Sequence, residues 1–229
     1  MSLVLHYHPL SSYCWKVLIA LYEKSVAFEA RTVDLGDADA RAAYAALWPT
    51  AKIPLLQDGD RVIPETSIQI EHLDLNYPGA LALLPGDAAA QLEIRLWDRV
   101  FDNYVMSALQ HAVGHYLRPE DQRDPLALDT ARAQLDMAYG LIEARLPGAT
   151  WAVGDGFTMA DCAAAPSLFY ASIFHPFPES RPKLAAYFER LIARPSVARC
   201  IAEARPFLSY FPLADRVPAR FLEDASVAE

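Results

Sequence analysis

The sequence predicts an α/β domain followed by an all-α domain. Three observations carry this expectation. Strand and helix signals alternate through the first eighty residues. A Pro/Gly-rich break follows, with Pro78, Gly79, Pro85 and Gly86. Beyond it, apolar residues recur at helical spacing to about residue 204, so the structural class changes in mid-chain.

In order, residues 2–7 read as a strand, because Leu3-Val4-Leu5-His6-Tyr7 favours pleated structure. His8-Pro9-Leu10 reads as a turn. A helix is predicted over 12–24, with Val17, Leu18, Leu21 and Tyr22 on one face. Residues 26–33 alternate weakly and read as a second strand, and the Ala-rich stretch 37–47 as a helix. Ile53-Pro54-Leu55-Leu56 opens a third strand, Asp58-Gly59-Asp60 signals a hairpin, and Arg61-Val62-Ile63 is its return. A helix over 66–76 ends before Pro78. The order is βαβαββα. Long helices are predicted at 88–117, with Leu92, Leu96, Val100, Tyr104 and Ala108 at steps of four, and at 126–146, stopping at Pro147-Gly148. Further helices are predicted at 159–173, 182–193 and 195–204. The domains are expected at 1–79 and 88–212, with a linker at 80–87 and a tail at 213–229.

Composition excludes several function classes. The chain has 229 residues, 53% of them apolar, enough for a sizeable core. Its net charge is -9 and no basic run is present, which argues against nucleic acid as a main partner. The cysteines Cys14, Cys162 and Cys200 are odd in number and widely spaced. They show neither a disulfide framework nor zinc spacing, which suits a reducing compartment. No apolar run reaches the roughly 20 residues of a membrane span, and no leader pattern precedes the first strand. A cytoplasmic protein is expected.

Three short segments carry chemistry. Ser11-Ser12-Tyr13-Cys14 lies where a strand turns into a helix, and unpaired N–H groups at such a start stabilise an anion, a thiolate included. Ile53-Pro54 is either an ordinary strand start or a cis proline that leaves the Ile53 N–H and C=O free for a peptide-like ligand. Glu65-Thr66 is either a helix cap, with Thr66 as the capping residue, or a site for an amino-acid head group. In that second reading Glu65 takes the ammonium and Thr66 the carboxylate. Thr158 and Asp161 read as a structural capping box. His111 and His115 are four apart on a helix, but no further ligand accompanies them and no metal site is expected. The charges of Arg95 to Asp102 read as helix-surface pairs, and Tyr104 either joins that surface or lines a cleft. Phe207, Tyr210 and Phe211 either cover a cleft or pack on the helical domain.

Together, Ser11 … Ile53-Pro54 … Glu65-Thr66 within βαβαββα, followed by an all-helical half, resemble the soluble glutathione transferase family. Ser11-Ser12-Tyr13-Cys14-Trp15-Lys16-Val17, Lys52-Ile53-Pro54-Leu55-Leu56, Glu65-Thr66-Ser67-Ile68-Gln69-Ile70-Glu71-His72-Leu73 and Gly154-Asp155-Gly156-Phe157-Thr158-Met159-Ala160-Asp161 carry the resemblance. The first segment is similar to the serine-type subgroups, distantly to the zeta class, although Tyr13 stands where zeta has cysteine. The resemblance implies a thioredoxin-like N-terminal domain. It places Ser11 beside the glutathione sulfur, with Ser12 and Tyr7 as alternatives. It assigns Lys52, Ile53, Pro54, Glu65 and Thr66 to glutathione binding, and Leu10, Tyr13, Tyr104, His111 and Tyr210 to the substrate cleft. Cys14, one turn into the helix, is expected as a buried small apolar residue, which disfavours two-cysteine redox chemistry. The implied activity is transfer of glutathione to a small, mainly apolar electrophile, as in detoxification. The alternatives are a glutathione-dependent isomerase and a non-catalytic glutathione-binding or interaction protein. Glutathione is the cosubstrate, no tightly bound cofactor is implied, and a homodimer is expected through the helix after Glu65 and the first long helix.

Overall fold

β1 (Leu3–Tyr7) runs through the middle of a four-stranded sheet ordered β2-β1-β3-β4, with β2 (Glu29–Thr32), β3 (Leu55–Asp58) and β4 (Arg61–Ile63). β2 is parallel to β1, with Val4 opposite Glu29. β3 is antiparallel to β1, with Leu5 opposite Leu56, and β4 is antiparallel to β3, with Leu56 opposite Ile63. The computed structural model describes residues 3–79, 81–146, 148 and 150–223. Met1, Ser2, Ala80, Pro147, Ala149 and the last six residues of the expected tail, 224–229, lie outside the described residues.

Helices α1 (Ser12–Glu23), α2 (Ala38–Ala45) and α3 (Thr66–Asn76) complete the βαβαββα unit. The second strand is shorter than its weak alternation suggests. All four of its residues are exposed, and Glu29 pairs with Arg31 along this edge, which suits an edge strand. The third strand starts at Leu55, two residues later than expected, so Ile53 and Pro54 precede its ladder.

Helix α1 departs from the one-faced pattern expected of it. Residues Cys14 to Leu21 are all buried, because α1 packs on the sheet domain's α3 and also on α7 (Met159–Phe174) and α9 (Pro195–Ala204) of the helical half. α7 is itself buried almost throughout and forms the centre of that half. It starts at the expected capping box, where Asp161 accepts from the Thr158 N–H at 2.8 Å and from its hydroxyl at 3.1 Å. The same carboxylate accepts from the Ala152 N–H at 2.9 Å and the Tyr187 hydroxyl at 2.6 Å. The Met159 N–H donates to the Leu83 carbonyl, which ties α7 to the chain between the two halves. α6 (Ala127–Arg145) and α8 (Pro182–Ile192) match their expected positions closely.

The helix expected over 88–117 is not a continuous α-helix. It consists of α4 (Ala88–Val100), a π-helical stretch at Phe101–Met106 and α5 (Ser107–Leu117). The wider turn resets the side-chain phase. Val100 and Ala108 face the core, but Leu92, Leu96 and Tyr104 of the same four-residue series are exposed. Ile94, Phe101, Val105 and Leu109 are buried. The charges here are not simple surface pairs either. Asp98 and Asp102 are buried and meet Lys16 of α1 at 2.6 and 2.8 Å, while Arg95 reaches Glu71 of α3 at 2.8 Å.

Candidate active site

The sheet topology gathers the three chemically loaded segments at one end. β1 ends at Tyr7, and the antiparallel β3 begins beside it, with Leu55 opposite His6. β4, antiparallel again, returns to that end at Ile63. Ser11, Ile53 and Glu65 follow or precede these strand ends by a few residues. They therefore lie at the carboxyl end of the parallel pair, where α/β sheets open toward ligands.

Ser11 is the N-cap of α1, with extended backbone angles. Its Oγ accepts from the Cys14 N–H at 3.4 Å, so its own proton is not used by that bond. Three contacts hold the preceding turn. The Ser11 N–H donates to the His8 carbonyl at 3.0 Å, Trp15 Nε1 to the Pro9 carbonyl at 2.6 Å, and the Tyr170 hydroxyl of α7 to the Leu10 carbonyl at 2.8 Å. Ser12, the first residue of α1, is nearly buried and accepts from Gln110 Nε2 of α5 at 3.3 Å. Tyr7 packs against the main core, and burial pushes its phenol above its ordinary value. Burial pushes the Cys14 thiol up to about 12, so it stays protonated at neutral pH. Cys14, Cys162 and Cys200 are all buried free thiols.

The Ile53–Pro54 peptide bond is cis. Ile53 is half-buried and stands outside the strand ladder. The Pro54 carbonyl is engaged from behind by Gln69, whose Nε2 also donates to the Ile63 carbonyl, both at 3.0 Å. Lys52 is exposed, and its carbonyl accepts from the Tyr44 hydroxyl at 2.8 Å.

The N-cap of α3 is Glu65, not Thr66. Glu65 takes φ +66° and ψ +118°, outside the helical region, and its carbonyl accepts from the Gln69 N–H at 2.9 Å, the first bond of the helix. Thr66 is therefore the first helical residue. No side chain caps the helix, so its leading N–H groups are open to an anion. The left-handed φ of a non-glycine residue is strained. Among the described residues Ser25, Ala51 and Glu65 adopt it, and the last two flank this site.

Behind Thr66 lies a charged cluster that sequence patterning missed. Lys16 Nζ donates to Ser67 Oγ at 3.0 Å, and the Ser67 hydroxyl donates to Asp98 at 2.7 Å. Arg99, half-exposed, binds Asp98, Asp102 and Ser67 together. Burial opposes the charge on Asp98, but Lys16, Ser67 and Arg99 together hold its carboxyl below the usual range. For Asp102, burial is the largest effect and holds the carboxyl above that range. Tyr13, half-buried beside Arg99 and Asp102, is pushed up to about 12, mainly by burial.

The residues expected in a substrate cleft come from separate segments of both halves. Leu10 is in the turn and Tyr13 is on α1. Tyr104 sits 43% exposed in the π-helical stretch, and His111 is exposed on α5. Tyr210 is 77% exposed, and Phe207, in the same short helical stretch Arg205–Tyr210, meets the turn, edge-on to His8 at 5.3 Å. Phe211 instead packs on Tyr170 at 5.2 Å. No group of three metal-ligating side chains occurs among the described residues. Two surface pockets, one of 370 Å³ near Lys24 and Asp74 and one of 480 Å³ near Phe174 and Phe221, lie away from this corner.

Comparison with known proteins matches both halves of the chain. Residues 5–81 match the glutathione S-transferase N-terminal domain, and residues 104–195 match the glutathione S-transferase C-terminal domain. Glutathione S-transferase 3 of Zea mays is 31% identical over 203 residues, covering 85% of this chain and 90% of that protein. The crystal structure of a glutathione S-transferase from Methylobacillus flagellatus with glutathione bound superposes with TM-score 0.79 at 26% identity. That match covers 87% of this chain and 98% of the other. A bacterial maleyl pyruvate isomerase of the zeta class superposes with TM-score 0.76 at 26% identity, over 88% and 97% of the two chains.

Proposed function

Because this chain belongs to the glutathione S-transferase family, we propose that it is a glutathione transferase that holds the glutathione sulfur as thiolate beside Ser11. The observation that carries the reading is the meeting at one sheet end of the Ser11 cap, the Ile53 edge and the Glu65 turn. Each supplies what one part of a γ-glutamyl tripeptide needs. The Ser11 O–H and the α1 dipole favour the thiolate. The free backbone of Ile53 matches the cysteinyl peptide group. The Glu65 carboxylate matches the γ-glutamyl ammonium, and the open N–H groups with the Thr66 hydroxyl match its carboxylate. Lys52, exposed and next to Ile53, meets the glycyl carboxylate in this reading. Lowering the thiol pKa by about two units takes roughly 2.7 kcal/mol, within reach of one charge-assisted bond and a helix N-terminus.

The thiol proton leaves to solvent. The sulfur then forms a bond to the electrophilic carbon as a leaving group departs with its electron pair, or as a double bond's electrons shift. Leu10, Tyr13, Tyr104, His111 and Tyr210 supply the substrate side of the cleft in this proposal. Thr158 and Asp161 serve the fold.

The protein is further proposed to be a cytoplasmic homodimer. Ile68 and Leu75 of α3 and Leu92 and Leu96 of α4 are exposed by 54–81%, and the Arg95–Glu71 pair ties the two helices together. An exposed apolar surface of this kind favours a partner. Among the described residues, no helix is long and apolar enough to cross a membrane.

Glutathione binding by calorimetry, followed by thioether formation with an aryl halide, tests the reading. Binding with turnover supports it; binding without turnover of any electrophile would leave only a binding protein. The likeness to maleyl pyruvate isomerase supports a second reading, in which sulfur adds and leaves again. Glutathione consumption separates the two, because an isomerase regenerates it.

A further inference from the structure

The Gln110 carboxamide crosses from α5 to the first turn of α1, where its Nε2 donates to Ser12 Oγ at 3.3 Å. A serine hydroxyl has one proton and two acceptor lone pairs. With Gln110 on a lone pair, the Ser12 proton is directed elsewhere. Next to it, Ser11 Oγ accepts from the Cys14 N–H. Two consecutive residues at one helix start thus each carry a hydroxyl that accepts from the protein and keeps its proton for another partner. Gln110 comes from the opposite half of the chain and is exposed, whereas Ser12 is nearly buried.

We infer that Gln110 is a positioning residue: by holding Ser12 as a donor, it makes the Ser12 hydroxyl a second hydrogen-bond partner of the glutathione sulfur beside Ser11. This rests on the transferase reading above. Titratable groups lie on the elements packed about the first turn of α1. They are Tyr7 of β1, His8 of the turn, Tyr13 and Cys14 of α1, and Glu65 ahead of α3. Asp102 and Arg99 lie beside Tyr13, with His111 on α5, Tyr170 on α7, and Cys200 and Glu203 on α9. Among the described residues, none of these hydrogen-bonds to Ser12 Oγ, so the Gln110 amide is the group that sets its orientation.

The test is the ultraviolet absorbance of the bound glutathione thiolate against pH. It compares wild type, Gln110→Ala, Gln110→Glu, Ser12→Ala and the Ser12→Ala/Gln110→Ala pair, with melting temperatures confirming that each is folded. In Gln110→Ala the thiolate fraction below the midpoint falls about threefold. In Gln110→Glu it falls further, because a carboxylate accepts the Ser12 proton and adds like charge. In the Ser12→Ala background, Gln110→Ala adds nothing. A Gln110→Ala curve that superposes on wild type, or a Gln110 effect that persists without Ser12, would overturn the inference. Absence of any bound thiolate in the wild type would overturn the transferase reading and the inference together.

Discussion

Lys16 Nζ stands 2.6 Å from Asp98 Oδ1, and both side chains are only 1% exposed. This pair joins the helix that carries Ser11 to the first helix of the other half. Through Ser67 it also joins the start of α3. Removing one partner of such a pair leaves charge buried without compensation. Lys16→Met is expected to cost about 3–5 kcal/mol in urea unfolding. Replacing Asp98 and Asp102 by leucine in the same chain should restore much of that loss. A cost under about 1 kcal/mol for Lys16→Met would show that the carboxylates find other partners.

Gln69 is fully buried, and its amide donates to both the Pro54 and Ile63 carbonyls. Gln69→Leu leaves two buried carbonyls without their donor, at a cost of about 1–3 kcal/mol. It also loosens the edge that presents Ile53. The expected result is a raised KM for glutathione with an unchanged KM for the electrophile. Equal changes in both constants would refute the positional role.

The apolar surface on α3 and α4 makes a separate prediction about assembly. Leu75 is 81% exposed and Leu92 66%. Leu75→Glu/Leu92→Glu should convert a sedimenting dimer to monomer at micromolar concentration while each chain stays folded. A wild-type monomer at that concentration would contradict the dimer proposal.

Asp58 accepts a hydrogen bond from His72 at 2.9 Å, which holds its carboxyl below its usual value of 3.8. A carboxyl depressed in the folded state stabilises the fold fully above its unfolded pKa. That stabilisation is lost as pH falls through the folded value. Asp58→Asn should therefore be less stable than wild type at neutral pH and should show a flatter loss of stability below about pH 4. Parallel acid limbs in the two proteins would rule this out.

Much of the fold is legible in the sequence because local signals and tertiary needs coincide. The Thr158–Asp161 capping box marks the start of α7 from residue types alone. The class change shows in periodicity alone. The rest depends on contacts between distant segments. The one-faced pattern of Val17, Leu18, Leu21 and Tyr22 gives no reason to bury Lys16, whose carboxylate partners come from the other half. The π-helical turn inserts a phase shift that a four-residue series does not reveal. Gln69 is a polar residue inside a short helix, and its burial follows only from the Pro54 and Ile63 carbonyls it meets. In the candidate site, Ser11, Ile53 and Glu65 are recognisable as types. Gln110 is not, because its partner is 98 residues away. Glu65 as cap depends on a left-handed backbone that its residue type does not suggest.

The most direct test of the central proposal is Ser11→Ala, with glutathione affinity and kcat for thioether formation measured side by side. Removing one donor to a charge that matters in the transition state should lower kcat about 100-fold or more. Affinity should change only a few-fold, because Ile53, Glu65 and Thr66 still hold the peptide. An unchanged kcat in Ser11→Ala would contradict the account.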